Sequence, residues 1–525
     1  MSESNDAAVP SAAAGSGRLV PPAGGVTVRM YRAGHGDCFL LAFAGSVPEE
    51  PPVYVLIDCG YKPGSPAFIH TSPVEIAASI LDATGGCIDI VVITHEHQDH
   101  VNGFTKDNLI GIHIGEVWMA WTEDPGDALA NQLRDRFNDQ LLGLLAARSR
   151  LAAQGEEERT RFIDQFLALE LGGEEDDMDG AAGAGLLMAA QTDPSNSSNK
   201  QAMKRVRDRA QNGVRYIRPH EAIMPLPRAA GVRAYALGPP RDAAKLRDMD
   251  PAGDEVFHGA AIPATSAGNY FAAAVASVDG HGVSPFGARY AVPSTDALTD
   301  ARSGEFFKIH YGGPGMAAAR APRGWNEDEV LPDAEWRRID NEWLYSADRL
   351  ALDLNQQTNN ASVVLAFELG KGGKVLLFAA DAQRGNWVSW NDGTWAEDGQ
   401  VISARDLLAR TVLYKVGHHC SENATLNGGP ASEHPSLGWM GQGEHRREFT
   451  AMITAVRAWA EGQNGWDHPR KAIKDELLRK SSGRVLQTDT SIPATPPDGV
   501  PEADWQRFLS HVREDRLYFD YDIMP

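Results

Sequence analysis

The chain has 525 residues, 42% of them hydrophobic and 23% charged, and a formal net charge of −22. That length can bury a large core and leaves room for about two to four domains. The acidic balance argues against broad, non-specific attraction to nucleic acid, which Lys and Arg dominate, and no apolar run reaches the ~20 residues of a membrane-spanning helix.

Residues 1–18 are mostly Ser, Ala, Gly, Asn and Asp with no charged-then-apolar leader, so residues 1–20 are expected to be disordered. Four cysteines (Cys38, Cys59, Cys87 and Cys420) are few for this size and read as reduced thiols of a cytoplasmic protein. Residues 26–30 and 39–43 predict two strands around the turn Gly34-His35-Gly36-Asp37-Cys38. Residues 53–60 predict a third strand, ending in Asp58 and Gly60, and 73–83 a helix. Ile90 to Ile93 is an apolar, mostly β-branched run that reads as a buried strand. It opens directly onto Thr94-His95-Glu96-His97-Gln98-Asp99-His100. A strand that stops and releases three imidazoles and a carboxylate within six residues is a compact way to aim ligands at one point. Neutral imidazole with carboxylate suits zinc, iron or manganese, as one ion or two.

After His100 the pattern thins. Leu129, Leu133, Phe137, Leu141 and Leu145 recur every four positions, predicting a helix over 127–150; a second is expected over 156–171. Residues 172–199, acidic and then rich in Gly, Ala, Ser and Asn, have the composition of a mobile linker. The basic run from Lys200 to Arg218 reads first as a solvated helix face and second as a polyanion contact. Residues 232–237 form a strand, and 250–345 read as long loops. The core returns at Asn355-Gln356-Gln357-Thr358-Asn359-Asn360. Strands 363–368 and 375–381 then make a hairpin that ends on Asp381. Residues 412–416 form a strand leading to Gly417-His418-His419-Cys420-Ser421. A strand over 449–456, the segment Gly465-Trp466-Asp467-His468-Pro469, a helix over 470–480 and a strand over 484–489 follow, with a helix and tail over 500–525.

Taken in order, Gly-x-Gly-Asp, Ile-Asp-x-Gly, Thr-His-x-His-x-Asp-His, the hairpin Asp and Lys-Val-Gly-His-His-Cys-Ser resemble the metallo-β-lactamase fold hydrolases, in particular the ComEC-like branch with its competence-associated DNA-processing domain. Cys420 stands where that motif has glycine. The resemblance covers about 26–120 and 350–490. It implies an α/β fold, the metallo-β-lactamase αββα sandwich, with large helical and loop insertions. A single domain over 21–525 is expected, its core in 21–120 and 350–490, with insertions at 120–230 and 245–345 and an extension over 491–525.

The resemblance also implies roles. His95 and His97 would bind one metal, Asp99 and His100 the other, and Asp381 would bridge them; a lone Asp at a strand end is otherwise a cap. One of the paired histidines would complete the second metal. Neighbours on an extended segment point opposite ways, so His418 is taken as the ligand and His419 as its support or a substrate contact. Asp58 would orient the histidine loop. Asp37 would sit near the mouth or cap its turn, Asn360 would lie beside the site, and His468 would meet a phosphoryl oxygen or bond the backbone. One departure stands out: no His precedes the Asp381 strand where zinc β-lactamases carry a third ligand. Amide oxygens there favour manganese or magnesium over zinc, unless a distant His such as His220 or His258 is recruited; His310 is the nearest His upstream.

The expected function is a hydrolase with two divalent ions, zinc or manganese, that cuts DNA. Metal binding lowers the pKa of water to make a nucleophile. Asp99 would take the proton, and Lys415 or His468 would neutralise the transition state. The acidic charge does not forbid this, because bound ions change the local sign of the field. Partners would be DNA and an activating protease or regulatory protein, with no membrane; a homo-oligomer is open. The flexible tract would hold the enzyme inactive, as in a defence or toxin role. One alternative is a hydrolase of a small phosphodiester, lactone or thioester. The other is a metal-poor scaffold for a partner protein.

Overall fold

The computed structural model describes residues 17–65, 72–105, 108–174, 178, 180–257, 346–463 and 466–525. The expected disorder of residues 1–16 and loops of 258–345 therefore lie outside the described residues, as do His258 and His310. The chain divides into two compact units. One comprises Met1–Leu133, Ala168–Ile262 and Gln356–Pro525, and the other Arg134–Leu167 and Pro263–Asn355. In the second, Arg148 grips Asp164 through two 2.9 Å hydrogen bonds and Arg159 meets Asp348 at 2.9 Å. Both sheets, and every site residue below, belong to the first.

The first unit is mixed α/β. Its strands in chain order are β1 (Val26–Tyr31), β2 (Cys38–Phe43), β3 (Val53–Cys59), β4 (Cys87–Ile93), β5 (His113–Ala120), β6 (Val214–Ile217), β7 (Met224–Pro225), β8 (Val232–Gly238), β9 (Val364–Leu369), β10 (Val375–Phe378), β11 (Thr394–Glu397), β12 (Gln400–Ser403), β13 (Thr411–Lys415), β14 (Thr450–Ile453), β15 (Val485–Gln487), β16 (Val512–Glu514) and β17 (Tyr518–Ile523). Eight form one sheet in the order β16-β17-β1-β2-β3-β4-β5-β6; seven form another, β15-β14-β13-β10-β9-β8-β7. Each sheet is antiparallel in part and parallel from β3 to β6 and from β10 to β15.

The central strands are near-continuous apolar runs because both of their faces are covered. On β2, Phe39, Leu41 and Phe43 join one core cluster with residues of the second sheet, while Leu40 and Ala42 enter another. Phe39 meets Phe378 edge-on at 5.5 Å and Phe43 lies 5.6 Å from Phe367 between the sheets. Helix α1 (Pro73–Thr84), capped by Ser72, brings Ile76 and Ile80 against the outer face of the first sheet. Trp387, Leu407, Ile473 and Leu477 cover the second sheet from helices over Arg384–Ser389, Ala404–Ala409 and Lys471–Lys480, and Trp390 from the 3-10 turn Trp390–Asp392. No helix among the described residues is long and apolar enough to cross a membrane.

Two expectations change and one, the solvated basic run, holds. The Gly/Ala tract is no linker, since Ala181–Thr192 is helical with Leu187 and Ala190 buried. Its alanines, the best helix formers, outweigh its two glycines. The basic run folds as a helix over Ser198–Asp208 and then β6. Met203 and Val206 are buried there, Lys204 pairs with Asp208, and Arg218 pairs with Asp124 at 2.7 Å, as a solvated face requires. The C-terminal tail is a part of the core: β17 pairs along β1, and Trp505, Phe508, Phe519, Tyr521 and Ile523 join the inter-sheet cluster. Short strands that alternate Tyr and Asp give a weak signal by themselves.

Trp505 is 1% exposed. Trp505→Ala is expected to cost about 3–5 kcal/mol of stability, read as a lower denaturant midpoint by tryptophan fluorescence; an unshifted midpoint would contradict the C-terminal part of this core.

Candidate metal centre

The site forms where strands of both sheets end. Asp58, at φ 53° near the end of β3, accepts the backbone N–H of Thr94 at 2.8 Å and the Thr94 hydroxyl at 2.6 Å. This fixes the first residue after β4. Across the interface, Val363 N–H donates to Thr94 carbonyl at 3.0 Å. A Cβ on Gly60 would stand 2.3 Å from the Asp99 carbonyl and the His100 nitrogen, so only glycine lets β3 pass under the histidine loop. Beyond β10 the chain turns through Ala380, at φ 48°, to Asp381. Beyond β13, His418, His419 and Cys420 are all left-handed, at φ 40°, 52° and 67°. Such a run of non-glycine residues costs of order 1–3 kcal/mol each. The His418 N–H bond to the Ala380 carbonyl, at 3.0 Å, helps hold it.

Five imidazoles are each pinned at one nitrogen. Thr94 gives its hydroxyl proton to Asp58, so its oxygen receives His95 Nδ1 at 3.0 Å. His100 Nδ1 donates to Asp58 Oδ2 and His97 Nε2 to Glu170 Oε1, both at 2.8 Å. His419 Nδ1 donates to the Thr454 carbonyl at 2.9 Å. Ser421 donates to Asn423, so its oxygen receives His418 Nδ1 at 2.8 Å. In each ring the other nitrogen is left to face the cluster. Those of His95 and His97 face each other at 3.1 Å. Those of His100, His419 and His95 lie 3.2, 3.6 and 3.8 Å from one oxygen, Asp381 Oδ2. His419 Nε2 is also 3.1 Å from Asp99 Oδ2. His418 Nε2 differs: it meets the Asn359 amide Nδ2 at 3.2 Å.

The charges are buried and interlocked. Burial opposes ionisation of Asp381 and Asp99, yet the neighbouring histidines, with Lys415 beside Asp381, hold both carboxyls well below their usual range. Burial likewise opposes protonation of His100, but Asp381, Asp37 and Asp58 raise it well above an ordinary histidine, and Glu170 raises His97. Burial, with the positive neighbours His100 and His97, drives His95 the other way. It also lowers His418 to about 4. Asp58 is raised by burial.

The sequence-predicted residues fall into place unequally. His95, His97, Asp99, His100 and Asp381 converge as above. The paired histidines exchange places: His419, not His418, turns its nitrogen to Asp99 and Asp381. The argument from an extended backbone does not apply, because both residues are left-handed and their rings stand 5.9 Å apart at 59°. Asp37 is neither at a mouth nor a turn cap. It is buried, bonded by Thr454 Oγ1 at 2.6 Å, and paired with the Lys415 ammonium. Lys415 is 1% exposed and also meets the Ala380 carbonyl at 3.0 Å and Asp381 at 3.4 Å, so its ammonium is spent on buried carboxylates. Asn360 lies outside the cluster, donating to the Lys245 and Leu246 carbonyls and accepting from Gln383 and Asn386; its neighbour Asn359 is the amide at the site. His468 keeps some exposure beside His418, their rings 5.3 Å apart, with Nδ1 3.4 Å from His35 Nε2. His220 packs against Trp395 in the outer core of the second sheet.

Sequence reasoning missed Glu170, Asn359, Thr454 and His35. His35 sits in the quoted Gly34–Asp37 turn and was within reach; Glu170 stands inside an amphipathic helix with no local sign of a site. Two overlapping triads, Asp37-His100-His419 and His95-His100-Asp381, have their ligand atoms within 4.8 Å of one another. Asp99 Oδ1, His100 Nε2 and His419 Nε2 are buried without a well-aligned hydrogen bond. Imidazole nitrogens and carboxylate oxygens so arranged fit a divalent cation. No protein-family model and no curated protein sequence matches the chain.

Gly60→Ala must push the histidine loop away from β3. An overpacking loss of about 1–3 kcal/mol is expected in thermal melting; an unchanged melt would refute the close approach.

Proposed function

We propose that the chain is a metallo-β-lactamase fold hydrolase of the ComEC-like branch, an αββα sandwich that holds two divalent ions and cuts phosphodiesters in DNA. The observation that carries this reading is the set of imidazoles pinned at one nitrogen with the other turned onto buried carboxylates. Rings merely satisfying a core would spend both nitrogens on neighbours. Here His100 and His419 leave Nε2 without an aligned partner while crowding Asp381 and Asp99.

On this reading His95, His97 and Asp381 would hold the first ion, and Asp99, His100, His419 and Asp381 would hold the second. The ions supply Lewis acidity, which makes water a nucleophile near neutral pH and offsets charge on phosphate oxygens. The chain supplies the rest. Asp99 Oδ1, unbonded, accepts the proton of the attacking water. His418 and His468, which alone among the clustered histidines retain exposure, face the phosphoryl oxygens. Asp58, Thr454 and Lys415 keep ligands and carboxylates in place. A restraint by a mobile 172–199 tract loses its basis, because much of that tract is helical. The net charge of −22 favours a second reading, a small phosphodiester, lactone or thioester substrate in the same centre.

Elemental analysis of the purified chain is expected to find about two ions, and manganese-loaded protein to nick plasmid DNA. His97→Ala and Asp381→Asn should lower the rate about a hundredfold or more while remaining folded. Cleavage of bis(p-nitrophenyl) phosphate with intact plasmid would select the small-substrate reading. Fewer than about one ion per chain would remove the metal reading altogether.

A further inference from the structure

The third histidine that zinc β-lactamases use has no counterpart before Asp381, so the first ion would rest on two imidazoles and a shared carboxylate. A buried glutamate stands behind one of them. Glu170, 3% exposed, belongs to the last turn of the helix Glu157–Leu171. Its Oε1 takes the His97 Nε2 proton at 2.8 Å, and its Oε2 accepts the Thr358 hydroxyl at 3.2 Å. Its backbone is equally fixed. Asn199 Nδ2 donates to the Leu169 and Glu170 carbonyls at 2.7 and 3.0 Å, and Gln98 Nε2, from the histidine loop, donates to the Gly173 carbonyl at 2.5 Å. Asn199 is fully buried and Gln98 is 3% exposed, so this is a built contact between the loop and the helix end.

We infer that Glu170 is a positioning residue for the first metal ion: it selects the His97 tautomer whose Nδ1 faces His95 and strengthens that nitrogen as a ligand. A carboxylate behind a ligating imidazole fixes ring orientation and raises ligand basicity. Asp58 does this for His100 from the sheet, and Glu170 does it for His97 from a helix that carries no motif. The bland reading is a buried ion pair that serves the fold alone. It predicts equal effects of Glu170 substitution on both metal positions; the positioning role predicts a loss confined to one.

The inference rests on the two-ion reading, and the experiment separates their failures. The full chain is titrated with cobalt(II), following stoichiometry by elemental analysis and affinity by chelator competition. If the wild-type chain takes less than about one cobalt, the two-ion reading and this inference fall together. With two bound, Glu170→Gln should weaken one cobalt about 10- to 100-fold and leave the other unchanged. Glu170→Ala should do the same more severely and alter the visible cobalt spectrum. Thr358→Val keeps the carboxylate and removes only its second hydrogen bond, so a smaller loss at the same position is expected, and it serves as the folded comparison if Glu170→Ala is unstable. Two cobalt ions held by Glu170→Gln with wild-type affinity and spectrum, or an equal loss of both ions, would overturn the inference while leaving the two-ion reading intact.

Discussion

Carboxylates placed out of water must be met by positive charge, and the centre is organised by that requirement. Asp37, Asp58, Asp99, Glu170 and Asp381 are all buried, and Lys415 is the permanent cation among them. Uncompensated charge in a low-dielectric interior is too costly to persist. The protein meets the demand with imidazoles that sit against the carboxylates, and those carboxylates raise the proton affinity of His100 and His97 against the opposing effect of burial. The same arrangement is ready to exchange those protons for divalent ions, since ligands must be deprotonated to bind. Either way the negative charge comes first, and the ring orientations follow from it.

Holding this geometry takes backbone conformations that the chain would otherwise avoid. Asp58, Ala380, His418, His419 and Cys420 are all left-handed and none is glycine. Glycine is used where space is lacking, as at Gly60 beneath the histidine loop. The strained residues stand at or just beyond the ends of strands that are buried on both faces. Rigid sheet on one side and charge pairing on the other supply what the local conformation lacks.

The parts of this structure that the sequence discloses share a form: an apolar run followed at once by a cluster of chemistry. The strand before His95, the hairpin leading to Asp381 and the strand before His418 all have it, and their side chains do meet. What it conceals is of other kinds. Which of two adjacent histidines turns inward depends on φ angles that no pattern reveals. Asn359 and Asn360 are alike in sequence, yet one touches His418 and the other clamps the carbonyls of Lys245, Leu246 and Asp248. Lys415 looks like a cation for substrate until its burial between Asp37 and Asp381 is seen. Glu170 reaches His97 across 73 residues of chain, and only tertiary packing makes that contact. The helix Ala181–Thr192 was hidden by glycines that usually mark linkers, and the closing strands by their alternating acids.

The partnership of β1 and β17 also sets an order of assembly. Thr27 donates to Asp522 across 495 residues of chain. During translation β1 can pair early with β2, but its opposite edge stays bare until nearly all of this sequence has left the ribosome. An open edge beside Val26, Val28 and Met30 is a template for wrong partners. Closing so long a loop adds little to the equilibrium cost and much to the waiting time. Nascent or truncated chains of this protein are therefore the form most in need of a chaperone.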